Sequence, residues 1–426
     1  METLQRTANR GSISTGAYEI DNSCKFESDN REYLRWTNFS TYASSARKKK
    51  FSMSLWCKRT ELGSQQIIWS TQSNGYLSFE ADDEIKWYQT YSGVQKQLNT
   101  NRVFRDTSAW YNIIVAVDST QATEANRMRL YVNGVEETSF VTATYPSQND
   151  EAQNIYEQHL YLGEWGGGSD GFNGYIADYL FVSEVQLVPS DVGEFDEDSG
   201  IWKPKAYSGT ISAPSHFLEF QDGSDLGTAT SGLDADTMNN IAAADQATDT
   251  PTNNFCIANA IAIGSSNLFQ FTEGGTVCKR ITADQWDFFT TTMPVNKGKW
   301  YGEFKIGSGP AMVGIGSLSY FEGTAQSSHT GAGMATNSGV AYYGADGKRW
   351  VDNTEAAYGA TFGTSDIISI AMDLDNDNVY FAKNGTWQNS GDPTSGATGT
   401  GALSTDPVGD YFVMTMNMLY NPTTHF

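Results

Sequence analysis

The feature that most constrains the fold is an alternation of apolar and polar residues, repeated along most of the chain. In FSMSLWCKR, residues 51–59, the apolar positions are Phe51, Met53, Leu55 and Cys57. Side chains at alternate positions of a β-strand share one face, so this segment predicts a strand with a buried face and a buried Cys57 thiol. Because helical periodicity is nearly absent elsewhere, the sequence predicts an all-β protein.

The same alternation returns in two separate regions. The further segments are WYNIIVAVD, RMRLYVNG, HLYLGEW and GYIADYLFVSEVQL in the first region, and WYGEFKIG, DIISIAMDLD, NVYFAKNGTW and YFVMTMNMLY in the second. Asn133-Gly134 and Asn384-Gly385 predict two-residue hairpin turns, because both positions tolerate a positive φ. A chain of 426 residues exceeds one ordinary domain. The sequence therefore predicts two related β-sandwiches of the jelly-roll type.

Composition divides the chain into four parts. Residues 1–17 are polar and lack periodicity, which predicts an N-terminal arm, and residues 18–188 form the first sandwich. Residues 189–254 are rich in Asp, Asn, Thr and Ala, and no Lys or Arg occurs between Lys205 and Lys279. We expect an acidic connector there, with one short strand paired to a neighbouring domain; a flexible linker is the alternative. Residues 255–426 form the second sandwich.

Charge excludes several classes of partner. The formal net charge of −23 argues against nucleic acid and against an anionic membrane, since phosphate contacts need Lys and Arg. We find no run of about 18 apolar residues that would span a membrane. The four cysteines show no metal-ligand spacing, and the four histidines are scattered. No cofactor, zinc site or nucleophilic triad is therefore indicated.

The glycine-rich segment GEWGGGSDGFNG, residues 163–174, is the best candidate for a ligand-binding loop. Trp165 would stack on a sugar ring, while Asp170 or Asn173 would accept its hydroxyls. The alternative is an ordinary mobile loop of the sandwich. In the second sandwich, Tyr342, Tyr343, Trp350 and Trp387 lie near predicted loops, but their positions do not separate surface from core.

Two acidic segments resemble known functional motifs, but each lacks residues that its motif requires. In GEFDEDSG, Glu194, Asp196 and Asp198 alternate, but the terminal Glu of a glycosidase strand is missing. Pro189-Ser190-Asp191 predicts a capped turn before it, so we assign no catalytic residue and expect a turn at a domain boundary. DLDNDN, residues 373–378, lacks the Gly and Glu of an EF-hand loop. We expect a hairpin connection there, with Ca²⁺ binding as the open alternative.

Family resemblances follow from these segments. WYNIIVAVD, RLYVNG and GYIADYLFVSE resemble the LamG and concanavalin A-like lectin superfamily. GKWYGEFKIG, VGIGS, GVAYYGADGKRW and DIISIAMDLDNDNVYFAKNG resemble the SPRY domain, itself a concanavalin-like sandwich. The resemblance implies two concanavalin A-like domains. The sequence reaches NPTTHF where a final strand is expected, so we expect another chain to complete that sheet edge.

The whole layout resembles virion proteins of tailed bacteriophages. The shared segments are YEIDNS at 18–23, IWKPKAY at 201–207 and DTPTNNF at 249–255. This resemblance implies a non-enzymatic structural protein of tail-fibre, spike or decoration type, displayed on the virion for attachment to host-surface glycans or for decoration. Its expected partners are other virion proteins and a host glycan, and homo-oligomerisation stays open.

The beginning of the sequence, METLQRTANRGSISTG, has no apolar core of a signal peptide. We therefore expect synthesis in the host cytoplasm and a final location on the virion. Two alternatives remain: a polysaccharide-degrading enzyme built on the first sandwich, and an assembly adaptor that joins virion proteins through sheet edges.

Overall fold

Almost every element of the computed structural model is a β-strand, as the alternation predicts. The structure describes residues 18–37, 39–72, 75–153, 155–156, 159–166, 168, 170–263, 269–281, 286–309, 311–323, 331–405, 407, 409–418 and 423–425. The chain divides into two compact units, unit 1 ending at Phe255 and unit 2 beginning at Cys256. The predicted N-terminal arm, residues 1–17, lies outside the described residues.

Unit 1 contains two large sheets and one small hairpin. Its strands are β1 Ser23–Phe26, β2 Tyr33–Trp36, β3 Lys50–Arg59, β4 Gln66–Thr71, β5 Gly75–Phe79, β6 Glu84–Tyr91, β7 Val94–Val103, β8 Tyr111–Asp118, β9 Met128–Val132, β10 Val135–Glu136, β11 Phe140–Thr144, β12 Leu160–Leu162, β13 Gly174–Ser183, β14 Gly193–Phe195, β15 Trp202–Pro204, β16 His216–Leu218, β17 Ser231–Gly232, β18 Thr237–Asn239 and β19 Gln246–Ala247. A short helix, α1 (Ser45–Lys49), precedes β3.

We call the two large sheets the back sheet and the front sheet. The back sheet has the order β10-β9-β8-β3-β13-β1-β19, with β16 paired to β13 and β17 paired to β16. The front sheet has the order β11-β7-β6-β5-β4-β12-β2-β18. All pairs within them are antiparallel. Consecutive strands from β4 to β7 are neighbours, whereas β3 lies between β8 and β13, so the sheets combine hairpins with longer crossovers, as in other β-sandwiches.

The main core of unit 1 lies between these two sheets. Phe51, Met53, Leu55 and Cys57 of β3 pack there, as the alternation predicts. The front sheet contributes large side chains, of which Trp69 is fully buried. Cys57 is a free, buried thiol, and burial raises its pKa.

The segment predicted as an acidic connector forms more structure than expected. Instead of one short strand, β16 pairs with β13 of the back sheet, β18 pairs with β2 of the front sheet, and β19 pairs with β1. Residues 189–254 are therefore part of unit 1 rather than a linker between sandwiches. Their low apolar content is compatible with folding because they add strands to an existing sandwich rather than build a core of their own.

Part of this segment covers the outer face of the back sheet. Ile114 and Ala116 of β8 point away from the main core and are buried in a second cluster. The cluster is completed by apolar residues between 185 and 217, among them Leu187 and Val192. The back sheet is consequently buried on both faces, which accounts for the nearly continuous apolar run in WYNIIVAVD.

Unit 2 is a second sandwich of two antiparallel sheets. Its strands are β20 Ala258–Ile263, β21 Phe269–Thr272, β22 Val277–Arg280, β23 Asp287–Thr291, β24 Lys299–Ile306, β25 Ala311–Ser317, β26 Gly339–Tyr343, β27 Lys348–Val351, β28 Thr354–Ala357, β29 Ile367–Asp373, β30 Asn378–Lys383, β31 Thr386–Trp387, β32 Leu403–Ser404, β33 Phe412–Met418 and β34 Thr423–His425, with one helix, α2 Leu318–Gly323. One sheet has the order β20-β23-β33-β25-β26-β27-β28, and the other β21-β22-β34-β24-β29-β30-β31 with β32 beside β30.

The alternation of β33 also has the predicted outcome. Phe412, Met416 and Met418 are buried in the core of unit 2, and Met414 packs against that core. Tyr420, the last member of the predicted stripe, lies outside the described residues. The methionines therefore serve as packing, which suits their flexible thioether side chains.

The expectation that another chain completes the last sheet is wrong for this structure. Strand β34 lies inside its sheet, paired with β22 on one side and β24 on the other. His425 is opposite both Val277 and Lys305. The short segment Thr423–His425 therefore fills the place that was predicted to be open.

Among the described residues, no helix is long and apolar enough to cross a membrane.

Both predicted Asn-Gly turns adopt the expected backbone. Asn133 and Gly134 have φ values of 51° and 78°, and Asn384 and Gly385 have 48° and 79°. The two glycines differ in their surroundings. A Cβ added at Gly134 would lie 2.3 Å from the Trp202 ring, whereas one added at Gly385 would meet nothing within 4 Å.

We predict that Gly134→Ala destabilises unit 1 more than Gly385→Ala destabilises unit 2. In both variants an alanine has to adopt the left-handed backbone conformation, which costs about 1 kcal/mol. Gly134→Ala must also displace Trp202, which adds roughly 1–3 kcal/mol. Hydrogen exchange measured separately for the two units reports each loss. Equal losses would contradict the close packing of Trp202 on this turn.

His216 provides a second test of the core. Its ring stacks on Trp36 at 4.4 Å and on Phe181 at 5.3 Å, and its Nδ1–H donates to the Pro214 carbonyl. Burial lowers the pKa of His216 from 6.5 to about 3. Between these values the unfolded chain binds a proton that the folded chain does not.

We therefore expect the free energy of unfolding to fall as the pH decreases from about 6.5 towards about 3, by up to a few kcal/mol. His216→Phe keeps the aromatic stacking and should remove this part of the pH dependence in urea titrations. His159→Phe is the matched control and should retain it. An unchanged slope in His216→Phe would show that His216 is not the group responsible.

Candidate functional site

The glycine-rich loop 163–174 connects β12 of the front sheet to β13 of the back sheet. It is held against the sandwich at several points. The Ser70 hydroxyl donates to the Glu164 carbonyl at 2.8 Å. The guanidinium of Arg31 lies 2.3 Å from the position of a Cβ at Gly168, whose φ is +85°. The positive φ favours glycine at this position, and the Arg31 guanidinium occupies the space beside it.

Trp165 of this loop meets tyrosines on the outer face of the front sheet. We call the set Tyr33, Tyr76, Tyr88, Tyr161 and Trp165 the aromatic row. Trp165 contacts Tyr76 edge to face with ring centroids 5.3 Å apart, and Tyr76 contacts Tyr88 at 4.9 Å. Tyr33 and Tyr161 form another edge-to-face pair at 5.5 Å. The row therefore extends across several strands of the sheet.

The alternation of the strands determines which aromatics lie on this face. In β5, Leu77 and Phe79 belong to the core, so Tyr76, which directly precedes Leu77, points outward. In β6, Ile85 and Trp87 belong to the core, and Tyr88 points outward. An aromatic residue at an outward position of an alternating strand was the available sequence signal for Tyr76 and Tyr88, which the sequence prediction missed.

The members of the aromatic row differ in exposure. Tyr33, Tyr76 and Trp165 are half-buried and offer ring surface to solvent. Tyr88 and Tyr161 are 5% and 6% exposed, so they support the row from below. Half-exposed aromatic rings held by neighbouring rings form a rigid surface that can bind a flat apolar face without a loss of side-chain entropy.

A cation adjoins the aromatic row. Lys86 Nζ lies 5.4 Å from the centroid of Tyr76 and 3.8 Å from Glu80 Oε2. Burial lowers the pKa of Lys86, whereas the hydrogen bond to Tyr76 and the negative charge of Glu80 raise it. The raising effects are the larger, so the pKa of Lys86 lies above its usual value. Lys86 is therefore a charged hydrogen-bond donor beside an aromatic face. A ligand with both polar and apolar groups could bind to this combination.

The structure places the other two predicted ligand residues differently. Asp170 is exposed, has a φ of +57°, and accepts the Ile67 N–H through its backbone carbonyl. The Asn173 side chain accepts the Ser28 N–H at 2.7 Å and donates to Glu61 at 2.5 Å. Asn173 thus ties two loops together, whereas Trp165 joins the aromatic row. Sugar binding by Asp170 and Asn173 stays a prediction.

Glu164 is a buried carboxylate that the sequence prediction did not single out. Arg31 donates to its Oε1 from Nη2 at 3.0 Å and from Nε at 3.2 Å. Burial raises the pKa of Glu164, and Arg31 only partly opposes this effect. The pair anchors the loop next to Trp165. Arg31 and Glu164 are far apart in the sequence, so no local sequence pattern predicts their contact.

The acidic segment at 193–200 is a small surface hairpin. Contrary to the expected turn, residues 193–195 form strand β14, paired with β15. Glu194 and Asp196 both face Lys203, with Nζ–O distances of 3.2 and 3.5 Å. These two carboxylates are therefore paired with a lysine on an exposed hairpin.

The turn expected just before this hairpin is present. Pro189–Asp191 forms a single turn of 3-10 helix, and the Asp191 carboxylate accepts the Val188 N–H at 2.9 Å. This bond satisfies a backbone donor at the beginning of the helix, as a capping residue does.

The DLDNDN segment is a hairpin connection, as expected. Strand β29 ends at Asp373 and β30 begins at Asn378. Lys299 and Asn376 donate to Asp373, and Asp375 accepts the Gly298 N–H at 2.9 Å. These carboxylates are bonded within the protein. Across the described part of the chain, no group of three or more His, Cys, Asp or Glu side chains is placed to hold a metal ion.

The aromatic residues noted in the second sandwich separate into core and surface. Tyr342 is fully buried in the core of unit 2. Tyr343 and Trp350 are half-buried in a second cluster on the outer face of their sheet. Trp387 is half-buried and contacts Tyr380 at 6.5 Å. Only the tertiary structure distinguishes these positions.

The folds of the two units agree with family comparisons. Residues 30–191 match the concanavalin A-like lectin/glucanases superfamily, and residues 299–404 match the SPRY domain. The chain thus contains a concanavalin A-like domain followed by a SPRY domain, and both predicted family resemblances are confirmed. Among curated proteins, none matches the chain.

Solved structures similar to the chain include SPRY domains. The SPRY domain of human HERC1 shares 12% identity, with 39% of this chain and 95% of that domain covered and a TM-score of 0.31. A human SPRY domain shares 16% identity over 37% and 94% of the two chains, with a TM-score of 0.29. The TRIM65 PSpry domain shares 10% identity over 40% and 88%, with a TM-score of 0.31.

Proposed function

We propose that this chain is a non-enzymatic structural protein of a tailed-bacteriophage virion that binds host-surface glycans through the aromatic row of unit 1. The observation that carries the glycan-binding part is the contact of Trp165, Tyr76 and Tyr88 on the outer face of the front sheet. The virion part is supported by the resemblance of the whole layout to phage virion proteins.

The chemistry of the aromatic row suits a carbohydrate. A sugar ring has an apolar face that packs on aromatic rings and a rim of hydroxyls that need hydrogen-bond partners. Lys86 offers a charged donor beside the ring of Tyr76. The aromatic row lies on an outer sheet face rather than in an enclosed cavity. A surface of this kind binds weakly through each copy, and many copies on a particle supply avidity.

The arrangement of carboxylates supports a binding role rather than hydrolysis. Hydrolysis of a glycosidic bond needs two carboxyl groups on opposite sides of the scissile bond. Glu194 and Asp196 instead share one lysine on a surface hairpin. Glu164, the carboxylate next to Trp165, is buried behind Arg31.

We predict that Tyr76→Ala and Trp165→Ala weaken glycan binding by roughly two- to tenfold each, because each removes one stacking surface. The measurement is binding of the purified chain to an array of bacterial surface polysaccharides. Tyr301→Ala is the matched control, since Tyr301 is an aromatic residue of unit 2 with 58% of its surface exposed. Equal effects of all three substitutions would remove the aromatic row from the binding site.

The virion role predicts that antibody against this chain labels intact phage particles in electron micrographs. Labelling confined to cell debris would contradict the proposal. Release of reducing sugars from the bound polysaccharide would instead favour the enzyme alternative. Stable co-purification with another virion protein in the absence of glycan binding would favour the assembly adaptor.

A further inference from the structure

A lysine side chain lies completely buried on the outer face of the back sheet. Lys58 belongs to β3, and its side chain is 0% exposed. Its Nζ contacts three acceptors, all from the end of unit 1: Asp249 Oδ2 at 2.8 Å, Asn254 Oδ1 at 2.7 Å and the Phe255 carbonyl at 2.7 Å. An amine, a carboxamide and a carboxylate therefore meet in one place.

The carboxylate is held in a fixed orientation. Asp249 Oδ1 accepts the indole N–H of Trp110 at 3.1 Å and the Phe255 N–H at 3.2 Å. These two donors leave Oδ2 directed at Lys58. The Asp249 side chain is 7% exposed, so the contact is nearly closed to water.

The carboxamide is oriented as well. Asn254 Nδ2 donates to the Ser108 carbonyl at 2.7 Å, which directs Oδ1 towards Lys58. A hydrogen bond from Nζ to Oδ1 places the lysine nitrogen next to the amide carbon. Fixed proximity of this kind replaces a collision between free reactants and lowers the barrier to their reaction.

Aromatic side chains surround the contact. Trp56, Trp110, Tyr175 and Trp202 form an apolar cluster on this face of the sheet. Exclusion of water by such a cluster strengthens the electrostatic contacts and prevents hydrolysis of reactive groups. Proton transfer from the ammonium to the carboxylate converts an ion pair into two neutral groups, which an apolar site accommodates better.

From this geometry we propose that Lys58 and Asn254 form an intramolecular isopeptide bond, with Asp249 as the proton carrier. Asp249 takes a proton from the lysine ammonium, and the resulting amine attacks the amide carbon of Asn254. The Nζ–C bond forms and the C–Nδ2 bond breaks. Asp249 delivers its proton to the departing nitrogen, which leaves as ammonia, and then takes the second proton from Nζ, so that a neutral amide remains and Asp249 ends protonated. No oxidant, reductant or co-reactant is required.

The bond would fasten the end of unit 1 to its sheet. Lys58 and Asn254 are 196 positions apart, so the cross-link closes a loop that contains most of unit 1. Asn254 stands two residues before the beginning of unit 2 at Cys256. Tension applied through unit 2 would then reach the central strand β3 directly, without peeling residues 189–254 from the sandwich. The inference is independent of the proposed function.

The test is the intact mass of the denatured full-length chain. The wild-type protein should be lighter than its sequence mass by one ammonia molecule. Tandem mass spectrometry of the tryptic digest should recover one branched peptide that contains both Lys58 and Asn254, with cleavage after Lys58 blocked. A wild-type mass equal to the sequence mass would overturn the proposal. So would an ammonia loss without a branched peptide, which indicates a succinimide at one asparagine.

Substitutions assign the roles. Lys58→Met and Asn254→Ala should each have the full sequence mass, because one reactant is missing. Asp249→Asn should also stay unmodified, because its amide accepts no proton from the lysine. Lys25→Met is the matched control: Lys25 forms a similar buried pair with Asp245 at 3.1 Å, and this variant should still lose ammonia. Loss of ammonia in Asp249→Asn would refute the role of Asp249. Should a variant not fold, the wild-type measurement alone decides the proposal.

Discussion

The contact between Lys58 and the segment 249–255 is the interaction on which the arrangement of unit 1 depends. A buried ammonium without partners costs several kcal/mol, so its acceptors have to be present whenever β3 is in the sheet. Asp249, Asn254 and the carbonyl of Phe255 supply them. The end of unit 1 must therefore return to the back sheet, and the residues before it are drawn over the sheet's outer face.

The segments YEIDNS, IWKPKAY and DTPTNNF come together around this contact. In YEIDNS, Ile20 bonds through its backbone to the Thr252 hydroxyl of DTPTNNF. Tyr18 donates to Asp178, whose pKa burial raises to about 8. In IWKPKAY, the indole N–H of Trp202 donates to the Asn112 side chain. Segments far apart in the sequence thus form one structural unit.

The two sheets of unit 1 consequently serve different purposes. The back sheet is covered on both faces and provides rigidity. The front sheet keeps aromatic side chains on its outer face, held in place by edge contacts and by the anchored loop that carries Trp165. A binding surface of this kind keeps its geometry because neighbouring rings and a strand register fix it, not because a ligand organises it. In the proposed role, this rigidity suits repeated weak contacts with a polymeric glycan.

The sequence by itself determined the strand content, the core face of strands such as β3 and β33, and both Asn-Gly turns. These features depend on a period of two and on local backbone preferences, which neighbouring residues reveal. Only the tertiary structure decided that residues 189–254 belong to unit 1, that β34 lies inside its sheet, and that Tyr76 and Tyr88 meet Trp165. It also brought Lys58 to Asn254. Each of these results depends on pairing between residues far apart in the chain, and the burial of a charge or a ring there is set by partners that no local pattern identifies.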